Sequence, residues 1–194
     1  EHPKMNSSCF SAMFYGCSAL VVPPELPAVK VASYCYDSMF MNCSNLISAP
    51  ALPTTDFGVK TLAPGVAYYE YCYNNMFLGC SSLVEAPELP ATTLSQGCYS
   101  AMFKGCVSLT KAPKLPAKTV RHESYAGMFY GCSKLTEIPI LPGGVSLIGR
   151  SCANMFRDCI SLKFSTVQSE ECPNTYDIYG YDDTPVDWPD STKG

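Results

Sequence analysis

The chain has 194 residues, a formal charge of −4, 47% hydrophobic side chains and only 15% charged ones. That length supports one domain with a core of its own, and the composition excludes bulk disorder. An acidic balance with 13 Lys and Arg argues against a nucleic-acid-binding module, and no apolar run approaches the ~18 residues that a membrane span requires.

Cysteine (12) and proline (16) are in excess, and both recur at a fixed interval. The string Met-Phe-x-x-Cys occurs six times, closing at Cys17, Cys43, Cys80, Cys106, Cys132 and Cys159. The intervals between these cysteines are 26, 37, 26, 26 and 27 residues, so one carries an 11-residue insertion. A leucine stands three residues after each (Leu20, Leu46, Leu83, Leu109, Leu135, Leu162), and Leu-Pro pairs begin at Leu26, Leu52, Leu89, Leu115 and Leu141. A period of 26 lies in the range of leucine-rich repeats, whose coils each hold a short strand and a short helix or 3₁₀ turn. Such coils gain stability only by stacking like residue on like.

The first coil is incomplete, running from Cys9 to Cys17. No charged-then-apolar leader precedes it, so the chain reads as a trimmed or mature form, with any export signal or lipid-carrying cysteine upstream. The insertion falls within residues 54–71, where Phe57, Tyr68, Tyr69 and Tyr71 are candidate ligand-binding aromatics. They either protrude to meet a partner or pack the loop back onto its own coil.

A strand is expected just after each closing cysteine, as in Ser82 to Ala86, and a proline column (Pro24, Pro50, Pro87, Pro113, Pro139) would end it. Exposed residues on these strands should form a column of alternating charge, Glu85, Lys111 and Glu137, with Glu88 and Lys114 parallel to it. These five are candidates for ligand contact, or they keep the face solvated. The second half of each coil reads as helical: Leu94, Cys98, Met102 and Cys106 place one stripe on one face, and the glycine before the closing cysteine suits a helix end. The basic run Lys104, Lys111, Lys114, Lys118 and Arg121 is scattered by phase, so it predicts no single basic patch.

Neither His2 nor His122 belongs to a catalytic motif, and no phosphate loop, G-x-S-x-G or H-E-x-x-H occurs, so no enzyme activity and no cofactor are expected. Cysteine pairs eight apart, such as Cys98 and Cys106, would lie about 12 Å apart on a helix, too far for a bridge. Packing is the preferred reading of the cysteines, ahead of bridging between coils or at Cys152 and Cys172, and ahead of metal. Beyond Leu162 the repeat decays. Residues 165–194 hold seven acids with Tyr176, Tyr179, Tyr181 and Trp188, which suits a cap over the last coil.

The columns Leu-Pro, Met-Phe and closing Cys resemble the BspA-like leucine-rich repeats of bacterial surface proteins over residues 9 to 162, although Ala49-Pro50, Ala86-Pro87 and Ala112-Pro113 stand where many relatives have a leucine. The resemblance implies cell-surface or extracellular display, often through a lipid anchor, with roles in adhesion and host-protein binding. The expected architecture is an α/β repeat solenoid, a right-handed leucine-rich-repeat superhelix of short parallel strands and short helices. Its six coils fill residues 1–164, and the cap fills 165–194. The expected function is recognition of a host or bacterial surface protein through the strand face and the inserted loop. A glycan-binding module and a structural spacer without a ligand are the rivals, and neither nucleic acid nor direct membrane insertion is expected.

Overall fold

The computed structural model describes residues 5–55, 57, 70–139, 141–142, 145–147, 149–163 and 186–187. Six turn-rich segments, each ending at one of the closing cysteines, stack on one another through their backbones. Five N–H groups of each segment donate to carbonyls of the next. Between the fourth and fifth they are Gly97 to His122 (3.0 Å), Tyr99 to Ser124 (3.0 Å), Ala101 to Ala126 (2.8 Å), Phe103 to Met128 (2.9 Å) and Gly105 to Tyr130 (2.8 Å). The intervening N–H groups donate within their own coil to the carbonyl three residues back, as Met102 to Tyr99 (3.2 Å), Lys104 to Ala101 (3.1 Å) and Cys106 to Phe103 (3.0 Å). Every backbone polar group in this stretch therefore alternates between a local turn and the neighbouring coil, which meets the demand that buried amides be paired.

This lattice replaces the expected helix. Residues 96–105 are consecutive turns, and no α-helix occurs among the described residues. The physical reason is a left-handed residue at every fourth position: Tyr71, Asn75 and Gly79 in the third coil, Gly97, Ala101 and Gly105 in the fourth, Glu123, Gly127 and Gly131 in the fifth. A positive φ interrupts any α-helix, but it is what the third residue of a type II turn requires. Gly105 (φ 74) thus serves in a tight turn rather than as a helix end. Asn42 (φ 61) and Asp158 (φ 60) occupy the equivalent place in other coils.

The inward residues come in doublets spaced by four: Cys98 with Tyr99, then Met102 with Phe103, then Cys106, all 2% exposed or less. Stacking the coils turns these into continuous columns. Phe14, Phe40, Phe77, Phe103, Phe129 and Phe156 form one ring stack with centroids 5.5 to 5.7 Å apart. Phe10, Tyr36, Tyr73, Tyr99 and Tyr125 form a second. Offset stacking of this kind adds about 0.5–1.5 kcal/mol per pair beyond burial. Leu46, Leu83, Leu109 and Leu135 are fully buried in their own column.

Regular β-structure is sparser than expected. At the anticipated strand column Glu85 makes single parallel bridges with Ser48 and Lys111, and nothing longer. The N–H groups of Val84 and Thr110 reach across at 3.4 and 3.5 Å, and the prolines two or three residues on leave no donor to continue the ladder. A second ladder lies elsewhere in the coil. Thr93 bridges Thr119, and β1 (Thr119–Val120) pairs in parallel with β2 (Ser146–Leu147). β3 (Val186–Asp187) lies antiparallel on the other side of β2. The rest of the anticipated cap, with Cys172 and its aromatics, lies outside the described residues. At the opposite end Phe10, Met13, Phe14, Leu26, Tyr36 and Met39 line a cleft of about 350 Å³.

Candidate recognition surface

The strand side presents two exposed columns next to each other. Backbone bonds run from Ile47 to Val21, Val84 to Ile47, Thr110 to Val84, Thr136 to Thr110 and Lys163 to Thr136, so these residues form one row across all six coils. The row is apolar at one end: Val21, Ile47 and Val84 are 45%, 52% and 45% exposed. It turns polar through Thr110 and Thr136 to Lys163.

The residues following Ile47, Val84, Thr110 and Thr136 build the second column, Ser48, Glu85, Lys111 and Glu137. The bridges set Glu85 directly beside Lys111, and the Thr136 to Thr110 bond brings Glu137 alongside on the far side of Lys111. All three charged residues are exposed, as are Glu88 and Lys114 next to the buried Leu89 and Leu115. Among the described residues the one ion pair within 4.0 Å is His122 with Glu123, so the strand-face charges are left to solvent rather than neutralised by each other.

The inserted aromatics separate into different environments. Phe57 is 1% exposed, wedged edge-on between the rings of Tyr73 and Tyr99 with centroids 5.4 and 5.3 Å away. It is a core residue, which corrects its place among the ligand candidates. The tyrosine column leaves a slot that a perpendicular ring fills. Next to it the Thr54 hydroxyl shares a 2.9 Å hydrogen bond with the buried Tyr73 phenol. Tyr68 and Tyr69 lie outside the described residues.

Tyr71 is half-buried and stacks on Tyr34, which sequence reasoning passed over, with centroids 5.3 Å apart and planes 16° from parallel. The Tyr71 hydroxyl donates to a Glu123 carboxylate oxygen (3.3 Å) and accepts from the Gln96 amide (3.1 Å). Burial, and the nearby Glu123 carboxylate, hold this phenol above its ordinary range. The signal for Tyr34 was present: it precedes its closing cysteine by nine residues, as Tyr71 does.

The basic run is dispersed. Lys104 sits over the Tyr130 ring at 4.7 Å, with Arg157 at 5.6 Å from the same ring, while Lys111 and Lys114 belong to the strand side. Cation–π contacts of this kind stabilise by about 0.5–1 kcal/mol at exposed sites.

The cysteines form a structural column. The thiols of Cys43, Cys80, Cys106, Cys132 and Cys159 each donate to the phenylalanine carbonyl of the preceding coil, at 2.9 to 3.1 Å. All described cysteines are unbridged, and only Cys9 and Cys17 are exposed. Burial pushes the Cys35, Cys80 and Cys152 thiols up to about 12 and that of Cys159 to about 11. Burial thereby disfavours the thiolate at these four positions. No cluster of three or more His, Cys, Asp or Glu with metal-site geometry occurs among the described residues. No helix among them is long and apolar enough to cross a membrane. The chain matches no protein-family model, no curated protein and no solved structure.

Proposed function

We propose that this chain is a recognition module that binds rather than catalyses. It works at a bacterial cell surface, as the BspA-like repeats it resembles do, and takes a protein partner on its strand side. The observation that carries this reading is the exposed row Val21, Ile47 and Val84, running beside the unpaired charges of Glu85 and Lys111. Scattered exposed apolar residues are normal on a soluble protein, but a contiguous row flanked by charge is the pattern of a protein-binding patch. The apolar row would supply buried area, and the charged column would set register and discriminate between partners. Phe57 supports the core beneath, and the inserted loop's part is reduced to residues beyond it.

The test is surface plasmon resonance of the immobilised chain against purified host extracellular-matrix and serum proteins and bacterial surface proteins. Binding at a Kd on the order of 1 μM or tighter, weakened at least about tenfold by Ile47→Glu with Val84→Glu, is the expected result. A partner whose affinity is unchanged by that double substitution would place recognition elsewhere. Lys111→Glu should act mainly on the association rate and its salt dependence.

A further inference from the structure

The two ends of the stack are not alike. In the sixth coil Met155 and Phe156 are 2% and 8% exposed, so its face is covered. In the first coil Met13 is 59% and Phe10 37% exposed, although Met39 and Tyr36, at the same places one coil on, are each 2% exposed. The bare side chains border the apolar cleft between Phe14 and Leu26. The same face carries backbone acceptors. The carbonyls of Ser33, Cys35, Asp37, Met39 and Met41 accept amides of the coil before them at 2.8 to 2.9 Å. Those of Ser7, Cys9, Ser11, Met13 and Tyr15, at the same places 26 residues earlier, have no partner among the described residues. Cys17 repeats the pattern: the next thiol in its column, Cys43, donates to the Phe14 carbonyl at 3.0 Å, while Cys17 is exposed.

These features specify what fits. Five free acceptors at alternate residues require a segment with five amide hydrogens at alternate residues. Phe10 and Phe14, which end the two ring stacks, require aromatic side chains four residues apart, and the Cys17 thiol requires a carbonyl. A coil of the same repeat, entering by its amide side, has all three. A second copy of this chain does not offer them. First coil against first coil would set carbonyls against carbonyls, and the amide side of the copy lies at its sixth coil, where Met155 and Phe156 are already covered.

We propose that the open face of the first coil is a docking site for a peptide segment of the Met-Phe-x-x-Cys pattern, carried by a separate polypeptide, which adds itself as one further rung. In this mode main-chain bonds supply the affinity and side-chain fit the selectivity, as when an extended peptide joins the edge of a sheet. The segment takes a positive φ at every fourth residue, which favours glycine or asparagine there. Its Met and Phe positions meet Met13 and Phe14, so a charge at either is excluded. This site rests on the coil-to-coil contacts alone and is independent of the strand-side reading.

The probe is a capped synthetic peptide with the sequence of residues 95–107, a stretch that makes these same bonds within the stack, added to the full chain under reductant. By the register of the stack its Tyr99 ring falls on Phe10 and its Phe103 ring on Phe14. It should bind with a Kd on the order of 10–300 μM by calorimetry, and at saturation slow the iodoacetamide labelling of Cys17 at least about fivefold. The peptide carrying Met102→Glu with Phe103→Glu should not bind. Met13→Glu in the chain should weaken the unaltered peptide at least about tenfold with an unchanged urea midpoint, because Met13 is exposed. Ile47→Glu with Val84→Glu should leave peptide affinity alone. Equal affinity for the two peptides, or neither binding nor protection of Cys17 at about 1 mM, overturns the proposal. Self-association that protects Cys17 without peptide overturns it in favour of a second copy. Protection seen only when residues 94–119 are grafted ahead of Met5 overturns it in favour of a covalently attached coil.

Discussion

The thiol of Cys106 donates a 3.1 Å hydrogen bond to the carbonyl of Phe77, 29 residues earlier in the chain. The same carbonyl already accepts the N–H of Cys80 at 3.0 Å. Cysteine is small enough for this slot, apolar enough for full burial, and still carries a donor for the second lone pair of that oxygen. The closing-cysteine column thus stitches coils together without any bridge. Cys106→Ala, which removes both the sulfur and its donor, should cost about 1–3 kcal/mol in urea denaturation. A midpoint equal to wild type would show the bond contributes nothing.

Alkali should unfold the protein cooperatively. The folded state holds its thiol protons more tightly than the unfolded chain does: Cys35 and Cys80 are raised from 9.0 to about 12, and Tyr36 from 10.0 to about 12. A group raised in this way contributes stability that is complete below its unfolded value and is lost as pH climbs towards its folded one. Stability should therefore be level up to about pH 8 and fall steadily above pH 9, each such thiol adding as much as about 1.4 kcal/mol per pH unit. A urea midpoint that stays flat to pH 11 would contradict the buried placement. In the native protein at pH 8, iodoacetamide should label Cys9 and Cys17 quickly and the buried cysteines only after denaturation.

Ala101 adopts φ 49, a region that disfavours any side chain with a Cβ. Its N–H is held by the Ala126 carbonyl at 2.8 Å, so the strain is sustained by the neighbouring coil. Ala101→Gly should raise stability by about 0.5–1 kcal/mol after allowing for the greater freedom of glycine in the unfolded chain. Thermal and urea melts would both register the change, and a loss of stability would contradict the backbone geometry.

Phe57 joins the stretch after Pro53 to the tyrosine column, with edge contacts to two rings. Phe57→Ala should cost about 3–5 kcal/mol, close to a large core deletion and unlike a surface change. An effect below 1 kcal/mol would return Phe57 to the surface. Leu109→Ala, in a fully buried column in the middle of the stack, should cost about 2–5 kcal/mol by the same mechanism.

The inward columns were legible because spacing alone exposes them: Leu83, Leu109 and Leu135 recur in register, and a residue repeated at one phase of a stack faces the same neighbours each time. The local backbone was misread at Leu94 to Cys106 because a four-residue step resembles a helical one over a short span. An α-helix turns about 100° per residue, so positions four apart drift by about 40° per step and a doublet pattern would smear. The doublets Cys98-Tyr99 and Met102-Phe103 do not smear, which was the available sign of a four-residue turn repeat. Of the surface, the charge column was readable from phase alone. The Tyr34–Tyr71 stack was not, because Tyr71 is placed by lying across Gly97 to reach Glu123, two coils beyond its own.

The peptide group between Cys72 and Tyr73 accepts from Tyr36 behind it and donates to Cys98 ahead of it. Five groups at every interface point the same way, so the molecule is an electric dipole along its stacking direction, with carbonyl oxygens facing the first coil and amide hydrogens the last. Its polarity along the chain is opposite to that of an α-helix, whose amides face the N-terminus. The positive pole thus falls at the sixth coil, immediately ahead of the stretch that contains Glu170, Glu171, Asp177, Asp182, Asp183, Asp187 and Asp190.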